Sequence, residues 1–117
     1  MKSYVYHSAT ATAHALIEHL IAMMEREPEK TFYFAFSGGS TPSLMFDIWA
    51  NEYKEVTPWM RMRIYWVDER CVPPDDSDSN YGMMRNLLLG LTPILYENVF
   101  RIRGEAKPAK EAVRYSE

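Results

Sequence analysis

The stretch TFYFAFSGGSTP, residues 31–42, decides the fold class. Its first half is a continuous apolar run without alternation, which predicts a strand covered on both faces, as in a parallel sheet. Its second half is rich in glycine and hydroxyl side chains and leads into a predicted helix that starts at Pro42 after a Thr41 cap. A buried strand that passes through a glycine loop into a helix indicates a β-α-β unit.

The segments on either side continue this alternation. The first helix, capped by Ser8 or Thr10, has apolar residues at spacings of three and four, which places them on one face: Ala13, Leu16, Ile17, Leu20, Ile21 and Met24. Strands are predicted over residues 4–6, 31–36, 62–67 and 98–102. The first helix runs to about residue 26, and further helices are predicted over 42–51, 81–89 and 108–117. This order predicts an α/β, Rossmann-like fold: a parallel sheet with right-handed crossovers and helices on both faces.

Composition excludes several classes of protein. A length of 117 residues suits one domain. Thirteen basic and sixteen acidic residues give a net charge of −3, so we expect no nucleic-acid partner. No apolar run approaches the roughly 18 residues of a membrane span, and no secretory signal is evident, so we expect no membrane partner and a cytoplasmic location. Cys71 is the only cysteine and no Cys/His set has zinc spacing, so we expect no internal disulfide and no zinc site.

The glycine loop has the parts of a phosphate site. Gly38 and Gly39 let a ligand approach the backbone closely, and the following helix start offers free N–H groups. Ser37, Ser40 and Thr41 add three hydroxyls. The loop is neither a Walker A loop nor a G-x-G-x-x-G motif, so no nucleotide cofactor is indicated. The alternative is an ordinary strand-to-helix turn with a hydroxyl cap.

A second polar loop, residues 68–79, follows the predicted strand 62–67 at the same edge of the sheet. Arg70 has the planar fork that suits a phosphate, and Asp68 or Glu69 could hold sugar hydroxyls or move a proton. The alternative is an ion pair that stiffens the loop. The run DDSDSN, residues 75–80, fails as an EF-hand because its glycine falls one position late and a leucine stands where the bidentate glutamate belongs.

The remaining candidates indicate no chemistry. His7, His14 and His19 all precede the predicted ligand-binding edge, and no two of them have the i, i+4 spacing of a metal site. Cys71 has no histidine near it in sequence. We expect these side chains to be structural or exposed.

Three ordered motifs resemble those of the 6-phosphogluconolactonase family, within the glucosamine-6-phosphate isomerase/deaminase superfamily. They are FSGGSTP at residues 36–42, WVDERCVP at 66–73 and SNYGM at 79–83. The segment NVFRI at 98–102 resembles the next strand, and the match is collinear over nearly the whole chain. Deaminases usually carry Asp-Glu-Tyr in the second motif, so Arg70 favours the lactonase branch.

This resemblance implies hydrolysis of 6-phospho-D-glucono-1,5-lactone to 6-phosphogluconate in the oxidative pentose phosphate pathway, with no cofactor and no metal. It implies that residues 38–41 contact the sugar phosphate, that Arg70 supplies charge near the substrate and that Asp68 lies in the pocket. The two remaining hypotheses are a glucosamine-6-phosphate deaminase and a sugar-phosphate-binding module without catalysis.

The resemblance also implies that a part of the family's machinery is missing. Family members are about twice this length, and their expected general base is a histidine in a downstream Gly-His motif, which would lie beyond Glu117. We therefore interpret residues 1–117 as the N-terminal portion of a single lactonase-like domain, inactive alone. We also expect it to expose apolar sheet surface through which copies of the chain could associate.

Overall fold

The computed structural model describes residues 8–116. It contains four α-helices and three strands in this region, joined by loops and short 3-10 turns. The helices are α1 (Ala9–Arg26), α2 (Ser40–Glu52), α3 (Asn80–Leu87) and α4 (Pro108–Ser116), and the strands are β1 (Phe32–Phe36), β2 (Met62–Trp66) and β3 (Val99–Phe100). The strand expected at residues 4–6 lies outside the described residues, as does His7.

The three strands form one parallel sheet in the order β1-β2-β3. The chain moves across the sheet in one direction, from β1 through α2 to β2 and then through α3 to β3. Because such connections are right-handed, α2 and α3 lie on the same face of the sheet. We call this the inner face; it carries Phe34, Phe36, Ile64 and Trp66. α1 packs beside α2, whereas α4 contacts the opposite, outer face through Tyr115, which packs against Tyr65. The predicted α/β architecture with helices on both faces is confirmed.

The core lies between the inner face and α2. Trp49 and Phe46 are fully buried and meet the rings of Phe34 and Phe36 edge-on, at centroid distances of 6.5 and 5.2 Å. The indole N–H of Trp49 donates to the Thr57 hydroxyl over 2.9 Å, so its one polar group is satisfied. This packing fixes α2, and with it the glycine loop, against the sheet.

Three expectations from the sequence are wrong. β1 is not covered on both faces, because α4 is the only described helix on the outer face and does not reach Tyr33, which is 70% exposed. α2 begins at Ser40, not Pro42, because Gly39 turns the chain earlier. β3 also covers only two residues of the five expected.

A buried carboxylate joins α4 to the loop after β3. Glu111 is 4% exposed, accepts the backbone N–H of Arg103 and pairs through both oxygens with the Arg114 guanidinium, at 2.5 and 2.6 Å. The Arg114 hydrogen bonds are the main cause that lowers the pKa of Glu111 to about 2. The interaction therefore stabilises the folded state as long as the carboxylate is ionised.

We expect the Glu111→Gln variant to be less stable than the parent protein at pH 7. Its stability should also fall less steeply than that of the parent as the pH is lowered toward 2. A carboxylate whose pKa falls from 4.5 to about 2 on folding adds stability above its unfolded pKa and loses it as pH falls toward 2. Urea unfolding midpoints measured from pH 7 to pH 2 would check this.

Glu105→Gln is the control. Glu105 also has a pKa of about 2, owing to Arg101, but its side chain is 40% exposed and solvent screens the pair. We expect Glu105→Gln to lose less stability at pH 7 than Glu111→Gln loses. If the stability of Glu111→Gln falls with decreasing pH as steeply as that of the parent, the stabilising role of the ionised Glu111 carboxylate is contradicted.

Candidate anion-binding site

The two polar loops leave the sheet side by side at its carboxyl edge. The Val67 N–H donates to the Phe36 carbonyl over 2.9 Å, so the ends of β1 and β2 are joined where both loops begin. Ser37 follows one strand directly and Asp68 follows the other after one residue. In parallel sheets this edge is where ligands bind.

The glycine loop presents an open helix start. Gly39 has a φ of +118°, which is accessible to glycine and strained for other residues, and it precedes α2 without any side-chain cap. The predicted Thr41 cap is therefore wrong, since Thr41 already lies inside the helix. Without a cap, the N–H groups of Ser40 and Thr41 in the first turn remain available to an anion.

The hydroxyls of this loop face solvent. Ser37, Ser40 and Thr41 are exposed, and among residues 8–116 none of the three side chains makes a hydrogen bond. They are thus free to bind a ligand that carries several acceptor oxygens, such as a phosphate group.

Asn80 ties the two loops together. A Cβ atom on Gly38 would lie 2.0 Å from Asn80 Oδ1, so the asparagine side chain packs directly on the glycine backbone. Its Nδ2 donates to both the carbonyl and the Oδ1 of Asp68, each over 3.2 Å. Asn80 was not among the site residues predicted from the sequence; the SNYGM motif at residues 79–83 was the available signal of its role. The cap is Ser79, whose hydroxyl accepts from the Gly82 N–H at 3.0 Å.

Glu69 braces the start of α3 and also lines the cleft described below between the loop after β2 and α4. Its Oε1 accepts the backbone N–H groups of Asn80 and Arg70 at 2.6 and 2.8 Å. Its Oε2 accepts the Ser79 hydroxyl and the Tyr81 N–H at 2.8 and 3.0 Å. A carboxylate at a helix N-terminus is also favoured by the helix dipole. With four donors bound, Glu69 has little remaining capacity for a sugar hydroxyl.

Arg70 is the cation of the site. Its side chain is exposed, and among residues 8–116 nothing accepts a hydrogen bond from its guanidinium and no carboxylate pairs with it. The alternative of an internal ion pair in the Asp-Glu-Arg run is therefore not what the described residues form. Arg70 lines a cleft of about 300 Å³ together with Gly39, Ser40 and Asn80; Asp78 contributes a carboxylate at its margin.

A second cleft begins on the other side of Arg70. It has a volume of about 410 Å³ and lies between the loop after β2 and α4. Asp68 and Arg103 contribute charged groups, and Ile102 and Tyr115 contribute apolar surface. Arg70 lines both clefts, so a ligand with its anionic group beside Ser40 can extend past Arg70 toward Asp68.

Of the other candidates, His14 lies apart from these clefts and Cys71 lines the cleft of about 410 Å³. His14 binds the Tyr53 hydroxyl at 2.8 Å and lies 3.4 Å from a Glu52 carboxylate oxygen, between α1 and the end of α2. Cys71 is exposed. Within the described part of the chain, no three His, Cys, Asp or Glu side chains are placed to share a metal ion. None of the helices there is long and apolar enough to cross a membrane.

Comparison with known proteins places the chain in a family. Residues 7–117 match the family model described as glucosamine-6-phosphate isomerases/6-phosphogluconolactonase. A 6-phosphogluconolactonase of Treponema pallidum is 38% identical over 117 residues, all of this chain and 48% of the relative. One from Haemophilus influenzae is 43% identical over 86 residues, 73% of this chain and 37% of the relative.

Solved structures agree on the fold. The crystal structure of the devB protein superposes with a TM-score of 0.88 at 34% identity, over 95% of this chain and 46% of that one. A monomeric glucosamine-6-phosphate deaminase superposes with a TM-score of 0.83 at 16% identity, which supports the fold alone. The chain spans about half the length of the curated relatives it matches. It belongs to the family of glucosamine-6-phosphate isomerases and 6-phosphogluconolactonases.

Proposed function

We propose that this chain forms the phosphate-binding, N-terminal half of a 6-phosphogluconolactonase, which hydrolyses 6-phospho-D-glucono-1,5-lactone to 6-phosphogluconate. The observation that carries the proposal is the Arg70 guanidinium, which has no carboxylate partner among residues 8–116 and lies in one cleft with the uncapped start of α2. The names of the relatives support the reaction. Because the chain spans about half of them, the activity belongs to the protein of family length: this sequence together with the part that completes the domain.

The phosphate group binds between the two loops. Its oxygens accept hydrogen bonds from the N–H groups of Ser40 and Thr41 and from the hydroxyls of Ser37, Ser40 and Thr41. Arg70 donates a charge-assisted pair of hydrogen bonds from the opposite side. Gly39 lets the phosphate approach the backbone, whereas Asn80 occupies the space beside Gly38. Asp68 accepts hydrogen bonds from sugar hydroxyls. Glu69 acts through Arg70 and Asn80, whose backbone N–H groups it holds.

The chemistry itself requires only water. A water oxygen adds to the lactone carbonyl carbon, the bond from that carbon to the ring oxygen breaks, and the ring oxygen takes up a proton. The proton that the water loses goes to a general base, which the family resemblance assigns to a histidine outside these 117 residues. Hydrogen-bond donors near the carbonyl stabilise the oxyanion that forms before the ring opens. No step consumes an oxidant, a nucleotide or a metal-bound group.

Two alternatives use the same site differently. A deaminase acting on glucosamine 6-phosphate needs the phosphate site as well, but Arg70 stands where the deaminase motif has tyrosine. A sugar-phosphate-binding module needs no base at all. A cytoplasmic location and a place in the pentose phosphate pathway are part of the lactonase proposal.

A pH-stat assay tests the reaction. We expect the family-length protein to release acid rapidly from freshly made 6-phosphogluconolactone, after subtraction of spontaneous hydrolysis. The 117-residue chain should release none above that background, because it lacks the base. Release of ammonia from glucosamine 6-phosphate, without lactone turnover, would establish the deaminase instead. If the protein binds a phosphate ester but catalyses neither reaction, it is a sugar-phosphate-binding module without catalysis.

Replacement of Arg70 by alanine in the family-length protein should raise KM for the phosphorylated lactone by about ten- to a hundredfold. This is the range expected when hydrogen bonds between two charged groups are lost. Arg70→Lys should recover part of the loss, because it keeps the charge and loses the fork. Steady-state kinetics would measure both.

Arg26→Ala is the matched control. Arg26 is also exposed, but it lies in the last turn of α1, before β1 and away from the carboxyl edge of the sheet. We expect its KM to equal that of the parent. An unchanged KM and kcat in Arg70→Ala would remove Arg70 from the site.

We also propose that the outer sheet face mediates self-association of the 117-residue chain when it is alone. Tyr33, Tyr65 and Phe100 form a row of aromatic rings across the three strands, and the rings of Tyr65 and Phe100 stack at 4.7 Å. Tyr33 is 70% exposed and Phe100 is 39% exposed. Parallel sheets are normally covered on both faces, and the chain spans only half of its relatives, so a second copy is the available cover.

Sedimentation velocity over a range of concentrations tests the association. We expect concentration-dependent dimers for the 117-residue chain and a marked shift toward monomer in Tyr33→Ser. The control is Val56→Ser, which removes a side chain that is 56% exposed and lies in the turn after α2. A parent chain that sediments as a monomer at every concentration would contradict the proposal.

A further inference from the structure

The Tyr115 hydroxyl joins β2 and β3 where their pairing ends. The Trp66 N–H donates to Tyr115 Oη over 2.9 Å, and the Tyr115 O–H donates to the Phe100 carbonyl over 2.6 Å. The two strands pair directly at Ile64↔Val99 and Tyr65↔Phe100. A side chain from α4 therefore helps to hold the last residue of β2.

Several features keep this hydroxyl in place. Its ring packs edge-on against Tyr65, with 6.5 Å between the centroids, and the Arg114 guanidinium lies 5.9 Å from its centroid. Burial raises the pKa of Tyr115, so the group stays protonated and can accept and donate at once.

The residue held by Tyr115 is the one from which the polar loop leaves the sheet. Trp66 is 3% exposed, Asp68 follows two residues later and Arg70 four residues later. A shift of the Trp66 backbone would therefore move the exit of the segment that carries both charged groups.

A second route runs from α4 to the same loop through its backbone. Glu111 on α4 holds the Arg103 N–H, which fixes the chain next to Gly104. A Cβ atom on Gly104 would lie 2.1 Å from the Arg70 carbonyl oxygen and 2.5 Å from that of Val72. The loop after β3 thus rests directly on the backbone of Arg70, with no room for a side chain between them.

We infer that Tyr115 and Gly104 are positioning residues that hold the Arg70 loop in its anion-binding geometry. Neither needs to touch the bound anion: Tyr115 acts through the Trp66 backbone, and Gly104 acts through the carbonyl of Arg70. The inference rests on the proposed role of Arg70 and adds that α4, at the far end of the chain, sets the affinity of the site.

A double-mutant cycle tests this with inorganic phosphate as the probe. The dissociation constant would be measured by isothermal titration calorimetry for the family-length protein and its Tyr115→Phe, Arg70→Ala and doubly substituted variants. Tyr115→Phe keeps the ring and removes both hydrogen bonds. We expect it to weaken phosphate binding about three- to tenfold, the range of one or two ordinary hydrogen bonds. In the Arg70→Ala background it should change nothing, because the group it positions is gone.

The controls separate positioning from general destabilisation. Tyr96→Phe alters a tyrosine that is 81% exposed, and it should leave phosphate affinity unchanged. Gly104→Ala is the second variant, needed if Tyr115→Phe unfolds; it should weaken phosphate binding in the parent background and not in Arg70→Ala. Thermal melts would show that each compared variant is folded at the temperature of titration.

The outcomes distinguish this inference from the proposed function. If the parent binds phosphate through Arg70 but Tyr115→Phe and Gly104→Ala bind it equally well, the positioning role is wrong and the phosphate site stands. An equal loss from Tyr115→Phe in both backgrounds would also overturn it, because the effect would not pass through Arg70. A parent that neither binds phosphate nor hydrolyses the lactone overturns the proposed function and this inference together.

Discussion

The interaction on which the site depends is the four-donor environment of the Glu69 carboxylate. Three backbone N–H groups and one hydroxyl bind its two oxygens at 2.6 to 3.0 Å. This carboxylate connects the loop that follows β2 to the start of α3. Its donors at the start of α3 lie ten to twelve residues after Glu69 in the sequence. Asn80 is thereby placed on the backbone of Gly38, and Arg70 is left with its guanidinium outward. Charged acceptors in such geometry form strong hydrogen bonds, so the loop has one defined course.

The sequence predicts the fold well because the fold follows from patterns that are local. Local patterns were sufficient to predict the secondary structure of each segment. They are the apolar run before the glycine loop, the spacing of apolar residues in α1 and the alternation of strands and helices. The errors arise where tertiary contacts decide. Tyr33 belongs to an apolar run, yet the helices of the described chain cover only its neighbours. Thr41 is a good cap by type, but the positive φ of Gly39 starts the helix before it.

The candidate site residues were chosen from the sequence by residue type, and the contacts of each side chain became visible only in the structure. Arg70 and the glycine loop were identified from their residue types, and both lie in one cleft. Within the Asp-Glu-Arg run, however, three neighbouring charged residues do different things. Glu69 accepts hydrogen bonds from its own loop and from the start of α3, Asp68 accepts from Asn80, and Arg70 lines the cleft at the start of α2. No spacing rule distinguishes these directions, because they depend on a helix that begins ten residues later. The role of Tyr115 could not be predicted from the sequence for the same reason, because its hydrogen-bond partners lie 15 and 49 residues away along the chain.

In the proposed function a phosphate group binds between the start of α2 and the Arg70 guanidinium. A crystal structure of the family-length protein with 6-phosphogluconate would test it most directly. We expect phosphate oxygens within hydrogen-bond distance of the Ser40 N–H and of the Arg70 guanidinium, with the sugar extending toward Asp68. A phosphate bound elsewhere, for example at Arg103 with the glycine loop empty, would contradict it.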